Sequence, residues 1–432
     1  MKLLVKFLIV IIIILKGNVI SAQEITSIQD SLKVSGSAGV QLTAYNTKGI
    51  ENRRNPFSYL LHGNITLSKG EFSIPLSFTY SEQERSFSQP FNQFGIAPSY
   101  KWVKVYIGYQ NITWSKFSLA GHQLLGGGLE LTPGKFRFGF VTGRFQRATR
   151  IDTSKVQTYL PAYKRTGFAA KIGYGTEDSY VDLIYMKSKD DDKSLALPYS
   201  DSTAAVQPGK NDVLSIKTQL KLSQSFNLYG EASVSLFNRN VNALKKSSDE
   251  TWKKFEKILG TQTISTQIYY GLEAGSNISF KGNNINLYYK RIAPDFQSMG
   301  AYFIENDLNA FGFRHGFGFW NHRAQINYGM GIFNDNLFNK KPLTTYRYQP
   351  NLNISLSPNA NWGIDASWTD LFTRQKDGFQ TVNDTIIMQN RNPGFTVTPR
   401  INWSNSKMMQ MVVGSYMNIR MIDIHEVKFS LP

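Results

Sequence analysis

Apolar residues recur at every second position, hairpin after hairpin, from Leu32 to about Met417. Residues 57–80 show the pattern best: Tyr59, Leu61, Gly63, Ile65 and Leu67 share one parity, Lys69-Gly70 turns, and Phe72, Ile74, Leu76, Phe78 and Tyr80 share one parity again. Successive side chains of a strand point to opposite faces, so the chain acquires one apolar and one polar face along its length. A transmembrane β-barrel and a soluble sandwich both alternate in this way, and the choice between them rests on the start of the chain.

There, Lys2 and Lys6 precede the apolar run Phe7–Leu15, and Ser21-Ala22-Gln23 follows. Charged, apolar and small-residue regions in that order describe a secretory leader, and nine residues are too few to span a bilayer as a helix. Residues 1–22 are therefore expected to be a signal peptide and residues 23–432 one outer-membrane domain. No later stretch nears the roughly 18 apolar residues of a membrane helix.

The remaining length would allow two or three soluble domains, but the hairpin rhythm has no break and no Pro/Gly/Ser-rich linker, which argues for one. Short turns are expected at Lys69-Gly70, Lys101-Trp102, Pro133-Gly134, Glu177-Asp178, Gln224, Lys281–Asn283, Asn321, Pro358–Asn361 and Ser404–Ser406, where Gly, Pro, Asn and Ser supply turn chemistry. Longer polar connections alternate with them, the last near residues 372–392. Short turns at one end and long loops at the other are the bacterial outer-membrane arrangement. The expectation is an all-β, antiparallel transmembrane β-barrel of about 18–20 strands, with short periplasmic turns and long extracellular loops. One loop helix is expected where Ser247 and Glu250 form a capping box ahead of Trp252, Phe255 and Leu259.

The alternating hairpins, the Ser-Ala-Gln leader end and the segments FNQFGIAPSYKWVKVYIGYQ, LAGHQLLGGGLELTPGKFRFGF and YYKRIAPDFQSMGAYF resemble the poorly characterised outer-membrane β-barrel proteins exported by Bacteroidota. The resemblance spans most of residues 23–418 and implies a fold and a Gram-negative outer-membrane location; it carries no catalytic residue across. The chain departs from the wider outer-membrane pattern, in which the last strand commonly ends on an aromatic residue. It ends Phe429-Ser430-Leu431-Pro432, so an incomplete C-terminal strand is expected. With strand 1 opening at Leu32, no room is left for the N-terminal plug domain of siderophore-type transporters.

The formal net charge of +17 becomes +14 when the leader removes three lysines and no acid. Export makes nucleic acid an improbable partner for that charge. An anion-preferring lumen or a solvated basic surface accounts for it instead. On the polar parity stand Lys33, Lys104, Arg137, Lys171, Lys217, Lys221 and Arg323 against Glu71, Asp182 and Glu231, which makes the expected lumen basic on balance.

Enzymatic sites are not legible. Cysteine is absent, which rules out disulfides, thiolate ligation and a lipid-modified N-terminal cysteine. The histidines His62, His122, His315, His322 and His425 form no metal-ligand spacing, no Ser-His set with an orienting partner stands out, and Gly126-Gly127-Gly128 lacks the helix and Lys-Ser/Thr of a phosphate loop. Neither catalytic residues nor cofactors are expected. Tyr80, Tyr100, Trp102, Trp320, Trp362 and Trp403 lie near strand ends, as interfacial girdles do, and a sugar-stacking path through the lumen is the other use of such rings. The expected function is a porin-like passive channel for small, anionic solutes. The alternative is a non-channel envelope component assisting surface-protein export, motility or adhesion. Expected partners are outer-membrane lipid, small solutes and envelope or secretion proteins.

Overall fold

The computed structural model describes residues 32–50, 55–82, 92–149, 161–195, 206–246, 262–321, 323–380, 388–404, 409–419 and 422–423. The expected leader, the capping-box helix, His322, His425 and the turn at 405–408 lie outside the described residues.

Each alternating run forms a strand. The first eight are β1 Lys33–Ala44, β2 Phe57–Lys69, β3 Phe72–Ser81, β4 Gln93–Ile96, β5 Ser99–Tyr100, β6 Val103–Asn111, β7 Gln123–Leu131 and β8 Phe136–Gln146. Then follow β9 Lys164–Gly175, β10 Tyr180–Asp191, β11 Lys210–Lys221, β12 Phe226–Asn238, β13 Thr266–Phe280, β14 Asn283–Ile292, β15 Leu308–Phe319, β16 Ala324–Asn334 and β17 Leu343–Leu356. The last are β18 Trp362–Thr369, β19 Phe372–Asp377, β20 Gln389–Arg391, β21 Gly394–Ser404, β22 Met409–Val413, β23 Tyr416–Ile419 and β24 Ile422–Asp423.

Every ladder between these strands is antiparallel, and all belong to one 24-stranded sheet. Several elements share one place in the meander: β4 and β5 both lie between β3 and β6. The pairs β18–β19 and β20–β21, and the series β22–β24, likewise continue one another along a neighbour. Among the described residues the elements thus fill 19 places, within the range expected from sequence. Among the described residues β1 pairs only with β2, and β22–β24 only with β20 and β21.

The turns follow their chemistry. Between β13 and β14, Lys281 and Gly282 have φ of 45° and 80°, the left-handed pair that lets a two-residue hairpin match the strand twist. The expected loop at 372–392 differs from the structure. Its two ends continue the wall as β19 and β20, because Phe372–Asp377 pairs with Leu343–Tyr348 and keeps the hairpin going past the Asp370-Leu371 break.

Register fixes the two faces. Outward stand Val40, Ile107, Phe140, Ile172, Ile216 and Val234, each more than 40% exposed. Tyr100, Trp102, Trp320, Trp362 and Trp403 ring the short-turn end and are about half exposed. The opposite face encloses the loop after β6. Three consecutive residues of that loop, Trp114 to Lys116, reach β9, β11, β12 and β13. In a flat sheet β9 and β13 would lie on the order of 19 Å apart, so the wall curves around the loop as a barrel wall does.

Candidate functional site

Two of the long connections turn inward and interlock. The first, residues 112–122 after β6, tightens on itself through Trp114 N–H to Leu119 C=O at 3.0 Å and Leu119 N–H to Ser115 C=O at 3.2 Å. The second, residues 293–307 before β15, lies against it: Ala120 N–H donates to Gly300 C=O at 3.0 Å, and Ser298 Oγ donates to Ser118 C=O at 3.2 Å. Gly300 is required at this crossing, since a Cβ there would stand 2.3 Å from Ser118 O.

Apolar packing holds the interlocked loops to the wall. Ile112, Trp114 and Leu119 are buried with Val141, Phe145, Ala169, Ile184, Met186 and Val213 from the inner face of β8–β11. Phe117 meets Phe296 edge-on at 5.7 Å, in a second cluster with Tyr269, Ile292, Leu308 and Ala310. Each fully buried large side chain contributes roughly 1.5–3 kcal/mol.

Polar groups set the position. Ser115 Oγ donates to Glu231 Oε1 at 2.5 Å, Ser233 Oγ donates to Ser215 Oγ at 2.6 Å, and Ser115 bridges the two sets through Ser215 at 3.2 Å. Met299 N–H donates to Asn211 Oδ1 at 2.9 Å, and Ser235 Oγ to Gln297 C=O at 2.7 Å. Lys116 pairs with Glu273 on β13 at 2.5 Å.

His122 closes the junction. Its ring stacks on Tyr302 at 4.2 Å and meets Phe145 edge-on at 5.1 Å. Nδ1 donates to the Gln123 carbonyl at 3.1 Å, while Nε2 is buried without a hydrogen-bond partner. Burial pushes the imidazole down to about 4, and the Arg165 charge adds to the effect. At the foot of the second loop, Asp307 accepts the Asn336 and Leu337 amides and pairs with Lys341 at 2.5 Å. Burial works against the Asp307 carboxylate, but Lys341 and these amides outweigh it and hold the group below its ordinary value.

The ten charges expected in the lumen divide by partner. Arg137 on β8 and Asp182 on β10 pair at 2.7 Å across Gly173 of β9, where a Cβ would stand 2.0 Å from Asp182 Oδ1. Lys171 pairs with Glu130 at 2.7 Å. Lys217 Nζ donates to the Trp114 carbonyl at 3.2 Å, and Glu231 holds Ser115. Lys221 pairs with Asp178 of the β9–β10 turn at 2.8 Å. Lys33 and Lys104 face inward by register. Two placements are corrected: Glu71 lies in the β2–β3 turn beside Lys101, and Arg323 in the β15–β16 turn by Trp320, because the strands end before these residues. His62 lies on the inner face of β2, whereas His315 points outward between Tyr328 and Asn283.

The interlocked loops were not foreseen from sequence. Their signal is the content of the first, where Ile112, Trp114, Phe117 and Leu119 are too apolar for a solvated connection.

Away from the loops, the inner wall from β13 to β18 carries amides, hydroxyls and glycine together with Tyr288 and Arg314. Two adjoining recesses of about 520 and 310 Å³ open along it, sharing Arg314 and Asn351.

No family model matches the chain, and no curated protein matches it. Solved structures that resemble it include OpdQ of Pseudomonas aeruginosa (9% identity, 90% of this chain and 97% of that one, TM-score 0.42). Others are OccK2 (OpdF) of the same organism in complex with glucuronate (9%, 90% and 97%, 0.40) and a BenF-like porin from Pseudomonas fluorescens (7%, 91% and 99%, 0.39). At such identity none of their lining residues transfers to this chain.

Proposed function

We propose that the chain, exported behind a leader at residues 1–22, is an outer-membrane β-barrel of the Bacteroidota type that serves as a passive, porin-like channel for small polar solutes with a mild preference for anions. The observation that carries this reading is the asymmetry of the interior. The interlocked loops press against β8–β13 and the loop-side ends of β14–β16, and leave the rest of the wall from β13 to β18 open, with amides and glycine along it. Charge supports the anion preference. The inward acids Glu130, Asp182, Asp190, Glu273 and Asp365 are each paired with a cation and Glu231 is taken up by Ser115 and the Phe117 amide, whereas Lys33, Lys104, Lys290 and Arg314 face inward without an ion pair among the described residues. The outward apolar belt suits lipid and requires detergent in solution.

The deciding experiment is planar-bilayer recording of the refolded mature chain in a salt gradient. Stable conductance steps with a reversal potential displaced toward anions are expected. Folded protein that stays electrically silent would overturn the channel and favour an envelope component.

A further inference from the structure

Three side chains of the wall beyond β13 lie along it rather than upright. The Tyr288 ring covers Gly312, where a Cβ would stand 2.5 Å from Tyr288 Cζ, and the Asn327 amide lies over Gly316 in the same way. The Arg314 stem lies over Gly329, where a Cβ would stand 3.2 Å from Arg314 Cγ, and its guanidinium sits 5.8 Å from the Tyr288 ring centre. Glycine on one strand thus gives a flat bed to a polar or aromatic group from its neighbour, and the floor of the two recesses is smooth.

Register then sets amides in rows across this floor. Asn277, Asn286 and Arg314 occupy one row that continues past Gly329 to Asn351 and Thr369. Asn284, Gly316, Asn327 and Asn353 occupy the next. Asn286 Nδ2 donates to Asn277 Oδ1 at 2.8 Å. The side chains of Asn327, Asn351 and Asn353 have no hydrogen-bond partner among the described residues. Every acid near the recesses is engaged: Asp370 by Arg391 at 2.6 Å, Asp365 by Arg400 at 2.8 Å.

Such a surface selects by chemistry. An amide offers two donors and one acceptor, which matches a hydroxyl that both gives and receives, and an aromatic face accepts the C–H face of a pyranose. One guanidinium is too little positive charge to make carboxylates the main ligand, and the amides set among the apolar atoms of the lining would go unpaired against a wholly apolar one. We propose that the inner wall of β13–β18 is a binding site for neutral saccharides of one or two rings, with Tyr288 as the stacking platform and Asn286, Asn327, Asn351 and Asn353 as the hydroxyl-reading groups. The proposal rests on the channel reading and adds a neutral solute class held at this one wall, beside the mild preference for anions that the unpaired cations elsewhere in the interior give; the site itself is testable without flux.

The test is saturation-transfer NMR on the folded full chain in detergent, with maltose, lactose and sucrose as probes and triethylene glycol as the control polyether. Transfer to the ring protons of at least one disaccharide, none to the polyether, and at least a fivefold loss in both Tyr288→Ala and Asn327→Leu are expected. Asn327 lies on Gly316 at the floor of the recess and makes no protein hydrogen bond among the described residues, so its variant keeps the fold; heat-modifiable gel mobility verifies each. Absent transfer for all three sugars, equal transfer to the polyether, or signals unchanged in folded variants would each overturn the proposal. Saccharide binding by an electrically silent barrel would sink the channel alone, and conductance without saccharide binding would sink the site alone.

Discussion

Ser115, on the loop after β6, donates a 2.5 Å hydrogen bond to Glu231 on β12, a partner 116 residues further along the chain. Both side chains are buried, and the same carboxylate oxygen also accepts the Phe117 amide at 3.3 Å. The contact fixes how far the loop reaches into the barrel, and through Phe117 and Phe296 it fixes the second loop as well.

Replacing Glu231 by Leu should free the loop. A hydrogen bond to a charged acceptor contributes about 1.5–3 kcal/mol, and its loss leaves the Ser115 hydroxyl and the Phe117 amide to find water. Single-channel recordings of Glu231→Leu should show larger, noisier steps than the parent. Steps of unchanged size would mean that the loops do not narrow the path.

Acid should loosen the same junction through His122. Its folded value of about 4 lies below the ordinary 6.5, so the unfolded or undocked state binds the proton first. Docking stability is then complete above about pH 6.5, falls as the pH drops toward 4, and loses on the order of 3 kcal/mol over that window. Asp307, held low by Lys341 and two amides, keeps its contribution until the pH falls through its own depressed value. Conductance should therefore rise between pH 6.5 and 4 in the parent and stay flat there in His122→Phe. A parent channel indifferent to pH over that range would refute the assignment.

The sequence makes some of this architecture legible and hides the rest. Parity places Lys104, Arg137, Lys171, Asp182, Lys217 and Glu231 on the inner face, because a period of two allows no other outcome once one face is apolar. Turn chemistry places the hairpin ends for the same local reason. The pairing of Arg137 with Asp182 is not local: it depends on the register of β8 and β10 against β9, and on Gly173 leaving the space between them. Glu71 and Arg323 are misplaced because one residue at a strand end separates wall from turn. The inward loops leave a trace in the inward parity, where Ile184, Met186 and Val213 are apolar although a hydrated lumen would want polar groups.

Neutralising Asp182 while keeping its shape tests whether such pairs conceal the positive charge of the lumen. Asp182→Asn leaves the Arg137 guanidinium without its counterion in a site where Asp182 is almost wholly buried. Reversal potentials should move toward anions, and the barrel should lose a few kcal/mol of stability, as broken buried pairs do. Replacing both residues by Leu should restore most of the stability without the shift in selectivity. If Asp182→Asn left both quantities where they were, the pair would have no part in either.

The membrane orientation of the wall is testable on two residues of β11. Ile216 points outward and is about half exposed, whereas Gln219 points inward, three residues along the strand. Arginine on a lipid-facing position costs about 2–4 kcal/mol at the bilayer midplane, and close to nothing on the lumen side. Folding titrations in lipid vesicles should therefore place Ile216→Arg well below the parent in stability and Gln219→Arg near it. A soluble β-sandwich would have no lipid to exclude the charge, so equal tolerance at both positions would contradict the transmembrane wall.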